Sequence, residues 1–122
     1  MDELITHAAS IGCRVYYLPL PHTHYGYLAT AHDIVVNSRL PYDFQREVLA
    51  HELGHSRYGH DLRTRHDIPK DERKADTYAA HLLITPQEYA RAEDMYEGCW
   101  KSIACELGVS TKMVRAWQNS FR

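Results

Sequence analysis

The apolar pattern of this chain changes period at Pro41, and that change limits the fold more than any other feature. Upstream lie three short runs rich in β-branched and aromatic residues, "RVYYL" (14–18), "YGYLAT" (25–30) and "DIVVNS" (33–38). Pro19 and Pro21 break the first run, and a tight turn joins the other two, which reads as a small antiparallel sheet of three strands. Ahead of them, residues 2–12 place Leu4, Ile5, Ala8 and Ile11 on one side of a helix that Gly12 stops. Downstream every segment reads as helix. "YDFQREVLAHELGHSRYG" (42–59) carries Phe44, Val48, Leu49 and Leu53 at helical spacing, with Gly59 to end it. "TRHDIPKD" reads as loop with Pro69 just before a cap, and 72–84 as a second helix with Ala75, Ala79, Leu82 and Leu83 inward. In "TPQE", Thr85 is a fit N-cap, Pro86 takes the first helical position and Glu88 completes a capping box. Residues 100–107 and 111–119 form two more short helices around "GVS". A small sheet packed on helices is an α+β arrangement. With 122 residues and neither linker nor repeat, residues 1–122 are expected to form a single domain.

Composition narrows the function by exclusion. Charged residues make up 25% of the chain but the net charge is only −2, so there is no polyelectrolyte signal for nucleic acid. The three cysteines, Cys13, Cys99 and Cys105, are odd in number and lack CxxC spacing, which argues against a disulfide framework and a cysteine zinc site. The acidic, interrupted start "MDELITHAASIG" is unlike a signal peptide. No apolar run approaches the ~20 residues of a membrane span. The expectation is a soluble cytoplasmic protein.

Nine histidines are many for this length, and three of them fall between Val48 and Asp61 in "VLAHELGHSRYGHD". His51, Glu52 and His55 spell H-E-x-x-H inside the helix that begins near Tyr42. At 3.6 residues per turn, side chains four apart leave the axis about 40° from one another. Both imidazoles therefore project from one face and can share a cation. Zinc suits such a pair, with an open position for water, and Glu52 lies close enough to act as general base on that water. The same motif also occurs by chance on helices whose polar face merely carries histidines. Here the motif sits on a strongly amphipathic helix beside Ala50 and Gly54, small residues that allow close burial.

A third protein ligand is required, and two residues compete. Glu72 opens the second helix in "ERKAD", and Asp76 is four residues on, on the same face. Glu72 would bind zinc, and Asp76 would accept the remaining N–H of a ligating histidine. Asp61 lies six residues after His55, the offset of the metzincin class. That pattern, however, wants glycine where this chain has Tyr58, and His60 falls one position short of the offset. The helical pair is the better fit.

The two-part motif resembles that of the ImmA/IrrE-type metallopeptidases. Their A-H-E-L-G-H corresponds to Ala50–His55. Their E-x-x-A-D-x-[FY]-A-A-x-L-L corresponds to Glu72, Ala75, Asp76, Tyr78, Ala79, Ala80, Leu82 and Leu83, with a closing proline at Pro86. "LLITP" is one residue longer than the usual "LLMP" ending. The resemblance runs from about residue 25 to about residue 90. It implies a zinc-dependent endopeptidase with His51, His55 and Glu72 as ligands and Glu52 as general base. Such proteins often belong to prophages or mobile elements and cleave a helix-turn-helix repressor, which would be the protein partner here.

A rival reading rests on "WKSIACELGVSTKMVRAWQNS". Ile103, Ala104, Leu107, Gly108, Val109, Val114 and Trp117 match the apolar and glycine spacing of a helix-turn-helix. Residues 110–119 would then be a recognition helix presenting Lys112, Arg115 and Gln118 to DNA, and the protein a DNA-associated module with a vestigial metal site. The same spacing equally serves two short helices packed on a core, or a docking surface that includes Trp117. The net acidic chain lacks the basic stripe that DNA affinity requires. His60, His66, His81, Tyr58, Tyr78 and Tyr89 are candidate oxyanion or substrate contacts for which structural roles are the simpler expectation, and His22 and His24 read as a solvated turn.

Overall fold

The computed structural model describes residues 2–59 and 69–121. Helix α1 (Asp2–Ser10) leads through Gly12, at φ +78°, into strand β1 (Arg14–Leu18). Strands β2 (Gly26–Thr30) and β3 (Asp33–Asn37) follow, joined by the turn at Ala31 and His32. The α+β class is as expected, but the sheet is mixed and not antiparallel. Its order is β1-β3-β2, with β1 parallel to β3 and β2 antiparallel to it. The physical reason is the link 19–25. The two-residue turn makes β2 and β3 a hairpin, and the longer, proline-bearing link carries the chain past the place that β3 later fills.

Five helices complete the described residues: α2 (Tyr42–Arg57), α3 (Pro69–Leu83), α4 (Pro86–Tyr96), α5 (Trp100–Leu107) and α6 (Thr111–Asn119). Helix α3 starts earlier than its apolar pattern indicates. Pro69 is its first residue, where a missing N–H costs nothing, and Asp71 and Glu72 suit the positive end of the helix dipole. The capping box of α4 forms as read: Thr85 accepts from the Glu88 N–H, and the Glu88 carboxylate accepts from the Thr85 N–H.

One face of the sheet covers α2. Ile34 and Val36 of β3 pack with Leu49 and Leu53 of α2 and with Ala79, Ala80 and Leu83 of α3, all in one buried cluster. Two glycines set how closely these layers approach. A Cβ on Gly26 would lie 2.7 Å from Val48 Cγ1, and one on Gly54 would lie 2.8 Å from both Cα and O of Ala75. At Gly54, α2 and α3 therefore meet backbone against backbone, in keeping with the small residues of the motif. Helix α6 buries Met113, Val114 and Trp117. Trp117, which a docking surface would need exposed, is 4% exposed.

Candidate metal centre

The contact at Gly54 decides what stands opposite the histidines. With α3 against α2, Glu72 and Asp76 reach across to His51 and His55. His51 Nε2 lies 3.0 Å from Glu72 Oε2, His55 Nε2 lies 3.1 Å from Glu72 Oε1, and the two Nε2 atoms are 3.1 Å apart. His55 is fully buried, and Glu52 is 5% exposed. These three residues, His51, His55 and Glu72, offer ligand atoms that can hold one metal ion. A tetrahedral ion with bonds of about 2.0–2.1 Å would hold its ligand atoms about 3.3–3.4 Å apart, so an opening of a few tenths of an ångström admits it.

Electrostatics favour a positive charge at the same point. Asp76 Oδ1 lies 2.8 Å from His51 Nδ1. Burial pulls the Asp76 carboxyl upward, but the His51 hydrogen bond and charge, with Lys112, hold it below the usual range. An ionised carboxylate only accepts, so the proton belongs on Nδ1 and the Nε2 lone pair faces Glu72 and His55. Burial likewise pulls His51 down, yet the Asp76 hydrogen bond and the charges of Glu52, Asp76 and Glu72 leave it above its ordinary value. Two Nε2 lone pairs 3.1 Å apart repel unless something positive lies between them. A divalent cation meets that need with all three donors at once.

The group opens on a cleft of about 370 Å³. Its floor is α2 and α3, through Val48, His51, Glu52, Glu72 and Asp76. One wall is the segment Thr23–Gly26 and another is the start of α6, Lys112 and Met113. His24 is exposed beside the turn, as expected, and that turn borders the cleft. Asn37 puts it there. Fully buried, Asn37 accepts from the Leu20 and Arg39 N–H groups at 3.1 and 3.0 Å and donates to the His24 carbonyl at 2.8 Å. Nothing in "VVNSR" distinguishes this clamp from an ordinary turn asparagine. Glu47, also unremarked in the sequence, sits four residues before His51 and accepts from Ser110 N and Oγ at 2.9 and 2.7 Å.

The other candidates are engaged elsewhere. Tyr78 OH meets His7 Nε2 at 2.6 Å, with the Tyr58 ring beside Tyr78 at 6.0 Å. His81 Nε2 meets Ser120 Oγ at 2.8 Å, and Tyr89 OH accepts from Gln118 Nε2 at 2.7 Å. None of these lines the cleft. Of the side chains assigned to a recognition helix, Lys112 approaches Asp76, Arg115 lies over the Trp100 ring at 4.4 Å, and Gln118 bonds Tyr89. His60, Asp61 and His66 fall outside the described residues.

A cation-ready group of two histidines and a carboxylate at the base of an open cleft is a site of the metallopeptidase type. The family model for the IrrE N-terminal-like domain of the M78 peptidases matches residues 8–116, and the chain belongs to that family. No curated protein matches it.

Proposed function

We propose that the protein is a zinc-dependent endopeptidase in which His51, His55 and Glu72 bind the metal and Glu52 is the general base. The observation that carries this reading is the convergence of His51 Nε2, His55 Nε2 and Glu72 within 3.1 Å of one another at the base of a cleft. Bound zinc supplies Lewis acidity at that point. Glu52 takes a proton from the attacking water and delivers it to the leaving amine as the C–N bond breaks. Asp76 keeps the Nδ1 proton on His51 and fixes the ring. Strand β2 is an edge of the sheet, and its first residue, Gly26, lines the cleft, so an extended segment of substrate can add to it as a further strand.

The substrate we infer is a helix-turn-helix repressor encoded nearby, cut at one exposed segment, in keeping with a prophage or mobile element. The domain is too small to enclose a protein, and an unrestricted protease would damage its own cell. A cytoplasmic location suits the three free cysteines. No helix among the described residues is long and apolar enough to cross a membrane.

The test joins metal analysis to cleavage. About one zinc per chain is expected in wild type and in Glu52→Gln, since glutamine is nearly isosteric, while hydrolysis falls by about 10²–10⁴-fold in the variant. The neighbouring repressor should be cut and casein should not. Zinc at no fixed stoichiometry, or full turnover by Glu52→Gln, sinks the reading.

A further inference from the structure

The helix-turn-helix-like pair meets the site above only through Lys112 beside Asp76, yet its second helix stands at the cleft. Ser110 caps α6, and both its N–H and its hydroxyl donate to the buried Glu47 carboxylate of α2. That anchor fixes the first turn of α6, so Lys112 and Met113 line the same cleft as His51, Glu52, Glu72 and Asp76.

The acidic groups of the cleft are committed to partners within the protein. Glu47 holds Ser110, Glu72 faces both histidines, and Asp76 holds His51. Glu52 is buried. Lys112 differs from all of them. It is the one lysine or arginine among the described residues of the lining, and its side chain is 63% exposed. Its ammonium lies 3.5 Å from Asp76 Oδ1, at the long limit of a hydrogen bond. An ammonium has three donors, so donors remain for a ligand in the cleft. Phe44, Val48 and Met113 line the same space and offer apolar contact to the segment that carries the carboxylate.

We propose that Lys112 determines specificity by holding a carboxylate of the substrate, so that the cleft selects segments with an aspartate or glutamate beside the scissile bond. The proposal rests on the peptidase reading. A basic residue at that position would meet the ammonium and be disfavoured. Arg73 and Arg115 stand with Lys112 and Asp76 around an adjoining pocket, but neither lines the cleft at the metal group, and Arg115 is stacked on Trp100, so the cleft itself presents one cation among its described residues. The recognised anion is therefore a single carboxylate near the reacting bond and not a run of phosphates.

The experiment incubates the zinc-loaded protein with a peptide library made by digesting a proteome and maps the cuts by mass spectrometry. Zinc content is measured for every variant, and Glu52→Gln is the blank. Wild type is expected to enrich Asp and Glu at one position near the cut by about threefold to tenfold, the range for a partly exposed, charge-assisted pair. Lys112→Met should lose the enrichment, and Lys112→Glu should replace it with Lys and Arg, both with zinc content unchanged. The same preference in Lys112→Glu as in wild type overturns the proposal. So does a uniform loss of rate at all sites, which would make Lys112 merely structural. If wild type makes no cut absent from the Glu52→Gln blank, the peptidase reading falls first and takes this proposal with it. Cleavage by wild type with no acidic preference removes the proposal alone.

Discussion

The floor of the cleft and its walls are built by different means. The floor comes from two continuous helices, each contributing residues four apart: His51 and His55 on α2, Glu72 and Asp76 on α3. One close backbone contact, Gly54 on Ala75, brings the two pairs together. The walls come from distant segments held by single buried side chains. Asn37 clamps the loop carrying His24 from 13 residues downstream, and Glu47 grips the start of α6 across 63 residues of chain. The chemistry is thus local and repeated at helical spacing, while access to it is long-range. Metal affinity should respond to the floor, and stability and substrate choice to the walls.

The largest effect that follows is in the floor. Glu72→Ala removes the only carboxylate of the ligand group and should lower zinc affinity by more than about 100-fold, beyond the range for an outer partner. Asp61→Ala should keep the metal. Competition with a chelating dye measures both. If Asp61→Ala strips the zinc and Glu72→Ala does not, the floor is wrongly drawn and the site follows the metzincin offset. Asp76→Ala comes next, weakening zinc by about 10–100-fold because the His51 ring loses its orienting acceptor. An equal loss in Glu72→Ala and Asp76→Ala would mean that both carboxylates ligate.

The same division explains what could be read in the sequence. The helical bounds of α5 and α6, the capping box at Thr85 and the residues of the metal group follow from periods and caps that span a few positions. That there are three strands is legible, but neither their order nor the parallel pairing of β1 with β3 is. Residues 14–18 read as a strand in either orientation, and only the path of the link 19–25 makes β1 parallel to β3. The apolar pattern starts the helix at residue 72 and leaves Pro69 in the loop before its cap, whereas Pro69 is the first residue of α3. His24, Asn37 and Glu47 gave no signal. Their partners lie many residues away, and an asparagine in a turn or a glutamate on an amphipathic helix is ordinary by itself.

The smallest effect tests the walls alone. The Ser110 hydroxyl accepts from the Met113 N–H at 3.4 Å and donates to Glu47 at 2.7 Å. Ser110→Ala removes both bonds, while the Ser110 backbone N–H remains on the other Glu47 oxygen at 2.9 Å. Because the buried carboxylate keeps one donor, the cost should stay near that of a lost N-cap, about 1–2 kcal/mol of unfolding free energy by denaturant titration. Glu47→Ala should cost at least as much, since it takes away the acceptor for both Ser110 donors. In neither variant do His51, His55, Glu72 or Asp76 lose a partner, so zinc affinity should be unchanged. What should change is the acidic preference at the cut, since α6 no longer holds Lys112 at a fixed place. A zinc affinity that falls in step with stability would show that α6 supports the floor as well, and the separation of chemistry from access would fail.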